Sequence, residues 1–308
     1  MSDKIKNVIL NNITYGFVRD FRHNKDIRTR FNNLTEVSFG FNFEEWYLGG
    51  YWGEKYIPYS LLHDNKVISN VSVNIIEFFI EEEKKIGIQI GTVMTDKEYQ
   101  NRGLNKFIMD QVLEEWREKS DFIYLFANDS VLNFYPRFNF EKVNEYRYSK
   151  TVNSNSDISL LKKLNIQDAK EKMFLIETIE MSIPISKVSM CDNMSLIMFY
   201  CTSIKKNNIY YIDELKAIVI ADYKDDTLYL NDVFSKGYVN LNGVIQVMSS
   251  KGIKRVVLGF TPLYETNYNR SLLKEGDTLF ILKDKVGYFK DNYWMFPVLS
   301  HAWIEIID

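Results

Sequence analysis

The chain has 308 residues, which favours two domains over one. An apolar fraction of 46% and a charged fraction of 26% exclude a disordered or collagen-like polymer, and 20 Tyr, 21 Phe and 5 Trp can fill a large core. A net charge of −3, without a run of five Lys or Arg, disfavours nucleic acid as the main partner. Two cysteines (Cys191, Cys201) and three scattered histidines (His23, His63, His301) give neither a disulfide framework nor a metal cluster. They point to a reduced, cytoplasmic protein without bound metal. No apolar run reaches 18 residues and the first residues are polar, so neither a membrane helix nor a secretory signal is expected.

In chain order, Ile27, Phe31, Leu34 and Val37 predict an amphipathic helix over 24–37. An aromatic stretch follows from Phe39 to Tyr59. Residues 66–79 and 86–94 read as two strands of a hairpin with a charged tip at 81–85. A polar loop with one glycine then leads into a helix over about 103–118, marked by Phe107, Ile108, Val112, Leu113 and Trp116. Phe122–Phe126 reads as a buried strand, and 129–135 as a short helix capped by Asn128 or Asp129 and ended by Pro136. A final strand is expected over Phe140–Tyr148. The polar window 151–157 is read as a junction between domains 1–150 and 151–308. Beyond it the reading is a helix at 167–181, strands at 195–201 and 209–212, and a hairpin around Lys224–Asp226. A helix over 238–251 ended by Gly252 and strands at 255–260 and 278–282 complete it. Hairpin, helix and strand occur in both halves, so two similar α/β units in tandem are expected, each a mixed sheet flanked by helices.

The strand–loop–helix at 86–118 is the segment with chemistry in it. Free amides at a helix start favour an anion, Gly103 permits close approach, and Arg102 adds a charge. An ordinary strand-to-helix loop is the plainer reading of this spacing.

The run V-M-T-x-x-x-Y-Q-N-R-G-L-N resembles motif A of the GNAT superfamily of acyl-CoA N-acyltransferases. Its Q/R-x-x-G-x-G/A core is matched by Gln100 and Gly103, with Asn105 where Gly or Ala is usual. Asn128, then Tyr135 seven residues later, then Asn139-Phe140 resembles motif B, with Asn139 in place of its glycine. The likeness spans about residues 17–148. It implies that the strand splays at a bulge, so that Val93, Met94 and Thr95 pair with the pantetheine arm of acetyl-CoA. A backbone N–H near Met94 would stabilise the oxyanion. Gln100, Asn101, Arg102, Gly103, Leu104 and Asn105 would hold the pyrophosphate, and Asn128 would contact the cofactor. Tyr135 matches the tyrosine that protonates the departing thiolate, its plainer reading being a packed ring beside Phe134 and Phe138.

The base is less clear from sequence. Glu77 follows an apolar run on the strand pair and is the first candidate, with an exposed strand residue as its plain reading. Glu44 and Glu45 come next. In this superfamily the region between the first two helices walls the acceptor site, so Trp46, Tyr47, Tyr51 and Trp52 are candidate substrate residues. They read equally as core packing. The second half lacks the glycine loop and reads as a degenerate unit, with His301 structural and both cysteines buried thiols. The expectation is one acetyl-CoA-dependent N-acetyltransferase site acting on a primary amine of a small molecule or peptide. The alternative is a non-catalytic acyl-CoA sensor or scaffold. A longer acyl group would keep the chemistry, and the intact loop argues against an aminoacyl-tRNA donor.

Overall fold

The computed structural model describes residues 4–153, 161–249, 252–274, 276–290 and 292–301. The first half contains β1 (Lys6–Leu10), β2 (Ile13–Arg19), α1 (Lys25–Phe39), α2 (Glu44–Leu48), β3 (Tyr56–His63), β4 (Lys66–Ile80), β5 (Glu83–Thr95), α3 (Leu104–Trp116), β6 (Phe122–Ala127), β7 (Phe140–Lys142) and β8 (Tyr146–Thr151). The second contains β9 (Leu161–Lys163), α4 (Ala169–Glu180), β10 (Val188–Cys191), α5 (Met194–Thr202), β11 (Ile209–Ile212), β12 (Ala217–Lys224), β13 (Thr227–Ser235), α6 (Leu241–Met248), β14 (Arg255–Leu258), β15 (Asn269–Leu272) and β16 (Thr278–Leu282).

The described strands form two mixed sheets, ordered β1-β2-β3-β4-β5-β6-β16-β7 and β15-β8-β14-β13-β12-β11-β9, with β10 also paired to β4. Each sheet has one parallel pair, β5 with β6 and β13 with β14, and each pair is bridged by a helix, α3 or α6. The hairpin before each pair carries a register slip, between Asn70 and Ser72 in one and between Ile220 and Ala221 in the other. The mixed α/β class and the two similar units are therefore present in the fold.

Two strands cross between the units. β16, from near the end of the chain, lies between β6 and β7 of the first sheet, and β8, from the first half, joins β14 and β15 in the second. The division expected at residue 150 falls inside β8, and residues 154–157 of the expected junction lie outside the described residues. The single strand expected over 140–148 is two strands in different sheets, because the chain turns at Val143–Glu145 to pass from one sheet to the other. The strand expected at 195–201 is helix α5. Its apolar run has no readable period because Leu196, Ile197, Met198, Tyr200 and Cys201 are all buried. Pro136 does not end a helix. It sits in the first turn of a 3-10 segment, Tyr135–Phe138, where its missing N–H costs nothing.

Local signals account for the elements that frame the site. Asn24 Oδ1 accepts from Ile27 N–H to start α1, Ile27, Phe31 and Leu34 are buried, and Gly40 at φ 76° stops it. Along β5, Ile88, Ile90 and Val93 pack in the core beneath α3, while Met94 packs with α1 on the opposite face. A third core joins the sheets, combining Phe78, Phe122, Tyr124 and Phe126 with Ile218, Ile220 and Phe234 and with Trp294 and Phe296.

Candidate active site

β5 and β6 pair only from Gly87↔Phe122 to Gln89↔Tyr124. β5 then runs on to Thr95 and β6 to Ala127 without further pairing, so the two strands diverge into a cleft. The divergence begins beside a bulge. Thr92 and Val93 are passed over in the register between Gly91↔Ser72 and Met94↔Asn70, and Thr92 has φ 50°. A β-branched residue in this region is strained and needs support from its surroundings. Asn70, fully buried, supplies it: Nδ2 donates to Thr92 O at 2.8 Å and to Ser72 Oγ at 2.9 Å, and Oδ1 accepts from Ser60 Oγ at 2.7 Å. The Thr92 hydroxyl is fixed by Tyr56 OH at 2.9 Å.

Beyond the bulge, Asp96 N–H returns to Ile68 O on β4 at 2.8 Å. Alternation from the bulge onward then turns the N–H of Met94 toward β4 and that of Thr95 away from it, toward the cleft. Thr95, beside Met94, thus carries a strand N–H free of β4 in the region where the oxyanion donor is expected.

The loop after β5 is capped by Asp96, whose carboxylate accepts from Glu98 N–H at 3.0 Å. Asn101 and Gly103 adopt φ 59° and 73°, which sharply redirects the chain into α3. No side chain caps α3, and its first internal bond runs from Phe107 N–H to Gly103 O at 3.1 Å. The amides of Leu104, Asn105 and Lys106 therefore lack intrahelical acceptors at the positive end of the helix. A Cβ on Gly103 would meet nothing within 4 Å, so the space above it is open. Gln100 Nε2 is buried without a hydrogen-bond partner among the described residues. The Asn105 side chain turns inward and accepts from Ser69 Oγ at 2.6 Å, leaving the loop's outer face clear. Arg102 folds back to donate to Glu98 O at 2.7 Å, its guanidinium 4.8 Å from the centre of the Tyr99 ring.

Across the cleft, Asn128 follows β6 and its Oδ1 accepts from Ser130 N–H at 3.0 Å. Tyr135 is buried, with the rings of Phe134, Phe140 and Phe280 centred 5.3, 6.1 and 5.9 Å from its own. Asn139, in place of motif B's glycine, takes φ 67° and closes the turn.

Other expected residues lie elsewhere. Glu77 is five residues from Ser72, about 17 Å along β4, at the paired end of the strand. It is bound by Lys55 at 3.2 Å, so it does not reach the cleft. Glu44 receives both arms of Arg28 at 2.9 Å, which holds its carboxyl below the usual range. Trp46 and Trp52 are 5% and 4% exposed and pack in the aromatic core under α1. Trp46 Nε1 donates to Ser195 O at 2.9 Å, tying α2 to α5, so these two rings do not line an open cleft. Tyr47 and Tyr51 are half-buried, and Arg28 stacks on Tyr47 at 3.6 Å. Asn70, Ser60 and Tyr56 were not foreseen; the one sign of Asn70 in the sequence is a polar residue inside a strand otherwise buried on both faces.

The corresponding cleft in the second unit is closed. Asn240 Oδ1 caps α6 by accepting from Asn242 N–H at 3.0 Å. No group of three or more potential metal ligands lies together among the described residues, and no described helix is long and apolar enough to cross a membrane.

Comparison with known proteins agrees with this geometry. Residues 10–143 match the model of an acetyltransferase (GNAT) domain. A GCN5-related N-acetyltransferase from Kribbella flavida superposes with a TM-score of 0.55 at 14% identity, over 90% of this chain and 74% of that one. A probable N-acyltransferase from Enterococcus faecalis gives 0.56 at 14%, over 92% and 73%. A GCN5-related N-acetyltransferase from Anabaena variabilis gives 0.56 at 12%, over 89% and 75%. At these identities the likeness is one of fold, and no curated protein matches in sequence. The family match is confined to residues 10–143, the segment that holds the splayed strands and the glycine-led helix, and there the chain is similar to a GNAT acetyltransferase domain.

Proposed function

We propose that this chain transfers an acetyl group from acetyl-CoA to a primary amine of a small molecule or peptide. The observation that carries the reading is the cleft between β5 and β6, opening beside the uncapped start of α3. Acetyl-CoA supplies the activated thioester. The amides of Leu104, Asn105 and Lys106, with the side chain of Gln100, hold the pyrophosphate; Asn101, Arg102 and Gly103 shape the loop. Val93, Met94 and Thr95 line the pantetheine arm, with the Thr95 N–H beside Met94 turned to the oxyanion, and Asn128 contacts the cofactor from β6. Tyr135 gives its proton to the departing thiolate, a weak base for which a phenol suffices, and the phenolate is restored by the proton that the attacking amine loses as the amide forms. Tyr47 and Tyr51 wall the acceptor side, with Trp46 and Trp52 as packing behind them.

Calorimetry with acetyl-CoA and a screen of polyamines, amino acids, aminoglycosides and peptides test the reading. One molecule bound per chain and at least one acetylated amine are expected. Binding with no amine acetylated would favour a sensor, and absence of binding would remove the cofactor assignment.

A further inference from the structure

The second unit keeps the outline of a cofactor cleft but fills it with its own chain. β13 stays beside β14 as far as Leu230↔Leu258, with a last bond from Gly259 N–H to Leu230 O at 2.8 Å, and then diverges. In the gap, Ile183 N–H donates to Ser235 O at 3.1 Å, Lys187 N–H donates to Thr261 O at 2.9 Å, and Ser186 bridges to Pro262. Residues 183–187 thus take up the backbone groups that a pantetheine arm would use.

A cleft of about 540 Å³ remains beside this plug, lined by Ile183, Ser189, Met190, Cys191, Met194 and Asp232. That volume suits a small ligand. Asp232 is the first paired residue after the bulge of β13, the place that Met94 holds in β5. Its carboxylate accepts from Val233 N–H at 2.8 Å and has no ion pair among the described residues. Burial pushes its carboxyl up to about 7. The other charged groups at the cleft are Glu180 at the end of α4, Asp192 after β10 and Lys84 on β5. Lys55 neutralises Asp192 at 2.8 Å, whereas the partly buried Asp232 carboxylate has no such ion-pair partner among the described residues. Met190, Met194 and Ile183 offer an adaptable apolar wall.

We propose that this cleft binds a small organic cation, an ammonium group with a short apolar portion, through the Asp232 carboxylate. The site is separate from the acetyl-CoA cleft and does not depend on acetyl transfer.

Cys191 lines the cleft and reports its occupancy, while Cys201 is fully buried and shielded from reagent. The full chain is labelled with a thiol-reactive dye at pH 8.5, without acetyl-CoA, in butylammonium chloride or in sodium butyrate at equal ionic strength. Butylammonium is expected to slow labelling at least threefold and butyrate to leave it unchanged. The protection should vanish in Asp232→Asn, a near-isosteric change checked for folding by circular dichroism, and persist in Gly103→Val. Equal protection by butyrate, none by butylammonium, or protection that survives in Asp232→Asn would overturn the proposal. Because acetyl-CoA is absent, failure here leaves the acetyltransferase reading untouched, and failure of that reading leaves this one standing.

Discussion

Asn70 on β4 reaches back to Thr92 in the bulge of β5, and its side-chain amide holds the Thr92 carbonyl at 2.8 Å. The contact keeps a β-branched residue at φ 50°, and so keeps the bulge from which the cleft opens. Asn70→Ala should destabilise the chain by about 1–3 kcal/mol, since Ser60 and Thr92 O lose a buried partner. It should also lower kcat/KM by roughly 10- to 100-fold through misplaced amides. Glycine adopts positive φ without strain, so the double variant Asn70→Ala, Thr92→Gly should recover part of that loss. Steady-state kinetics beside thermal melts separate the two effects; no recovery would show that the amide does more than hold the bulge.

Tyr135→Phe should lower kcat by about 10²-fold or more while acetyl-CoA affinity stays within about twofold. Rapid-quench turnover and calorimetry supply the two numbers. Unchanged turnover would reduce Tyr135 to packing among Phe134, Phe140 and Phe280.

Gly103 is open above but sits at φ 73°, so substitution strains the backbone and also intrudes on the pyrophosphate. Gly103→Asn, whose side chain tolerates the left-handed region, should bind acetyl-CoA more tightly than Gly103→Val. Both should bind it less tightly than the parent, with valine weaker by about tenfold or more. Calorimetry that ranked the three otherwise would detach the loop from phosphate binding.

The seam between the units should show in the pH dependence of stability. Burial raises the Glu145 carboxyl to about 8 and lowers the His301 imidazole to about 4. His301 stacks on Phe126 with ring centres 3.8 Å apart, and Phe296 N–H donates to Glu145 Oε1 at 2.9 Å. Between about pH 4.5 and 8 the folded state holds a proton on Glu145 that the unfolded chain releases, so its contribution falls as pH rises. The His301 contribution has the opposite sign, growing from about pH 4 to 6.5 and then constant. The two offset each other up to about 6.5. His301 Nε2 lies 3.9 Å from Glu145 Oε1, and above that pH the Glu145 proton is the one left to release, so stability should fall on toward pH 8. Urea unfolding at pH 6.5 and 8 measures the drop, and Glu145→Gln should remove most of it.

The sequence made the local parts of the site readable. Gly103, the polar turn before it and the spacing from Phe107 to Trp116 lie within one stretch of chain, as do Asn128 and Tyr135. What escaped was set by distant partners. Thr278–Leu282 reads as a strand, but its place between β6 and β7 depends on residues more than a hundred positions away. Leu196–Cys201 is apolar throughout because it packs against residues of both sheets, and that burial erases the helical period. Trp46 and Trp52 read equally as cleft walls and as core, because aromatic composition does not distinguish a lined cavity from a packed one. Glu77 looked free because Lys55, 22 residues earlier, cannot be assigned to it from sequence.

The place of β16 has a consequence for how the molecule is made. A ribosome releases the first half long before Thr278–Leu282 exists, yet β6 and β7 meet only through that segment. For most of synthesis the edge of β6 stands open, exposed to wrong pairings until its strand arrives. The first sheet is thus among the last parts of the chain to close, and stopping translation near residue 150 should yield a sheet with a missing member rather than a folded domain.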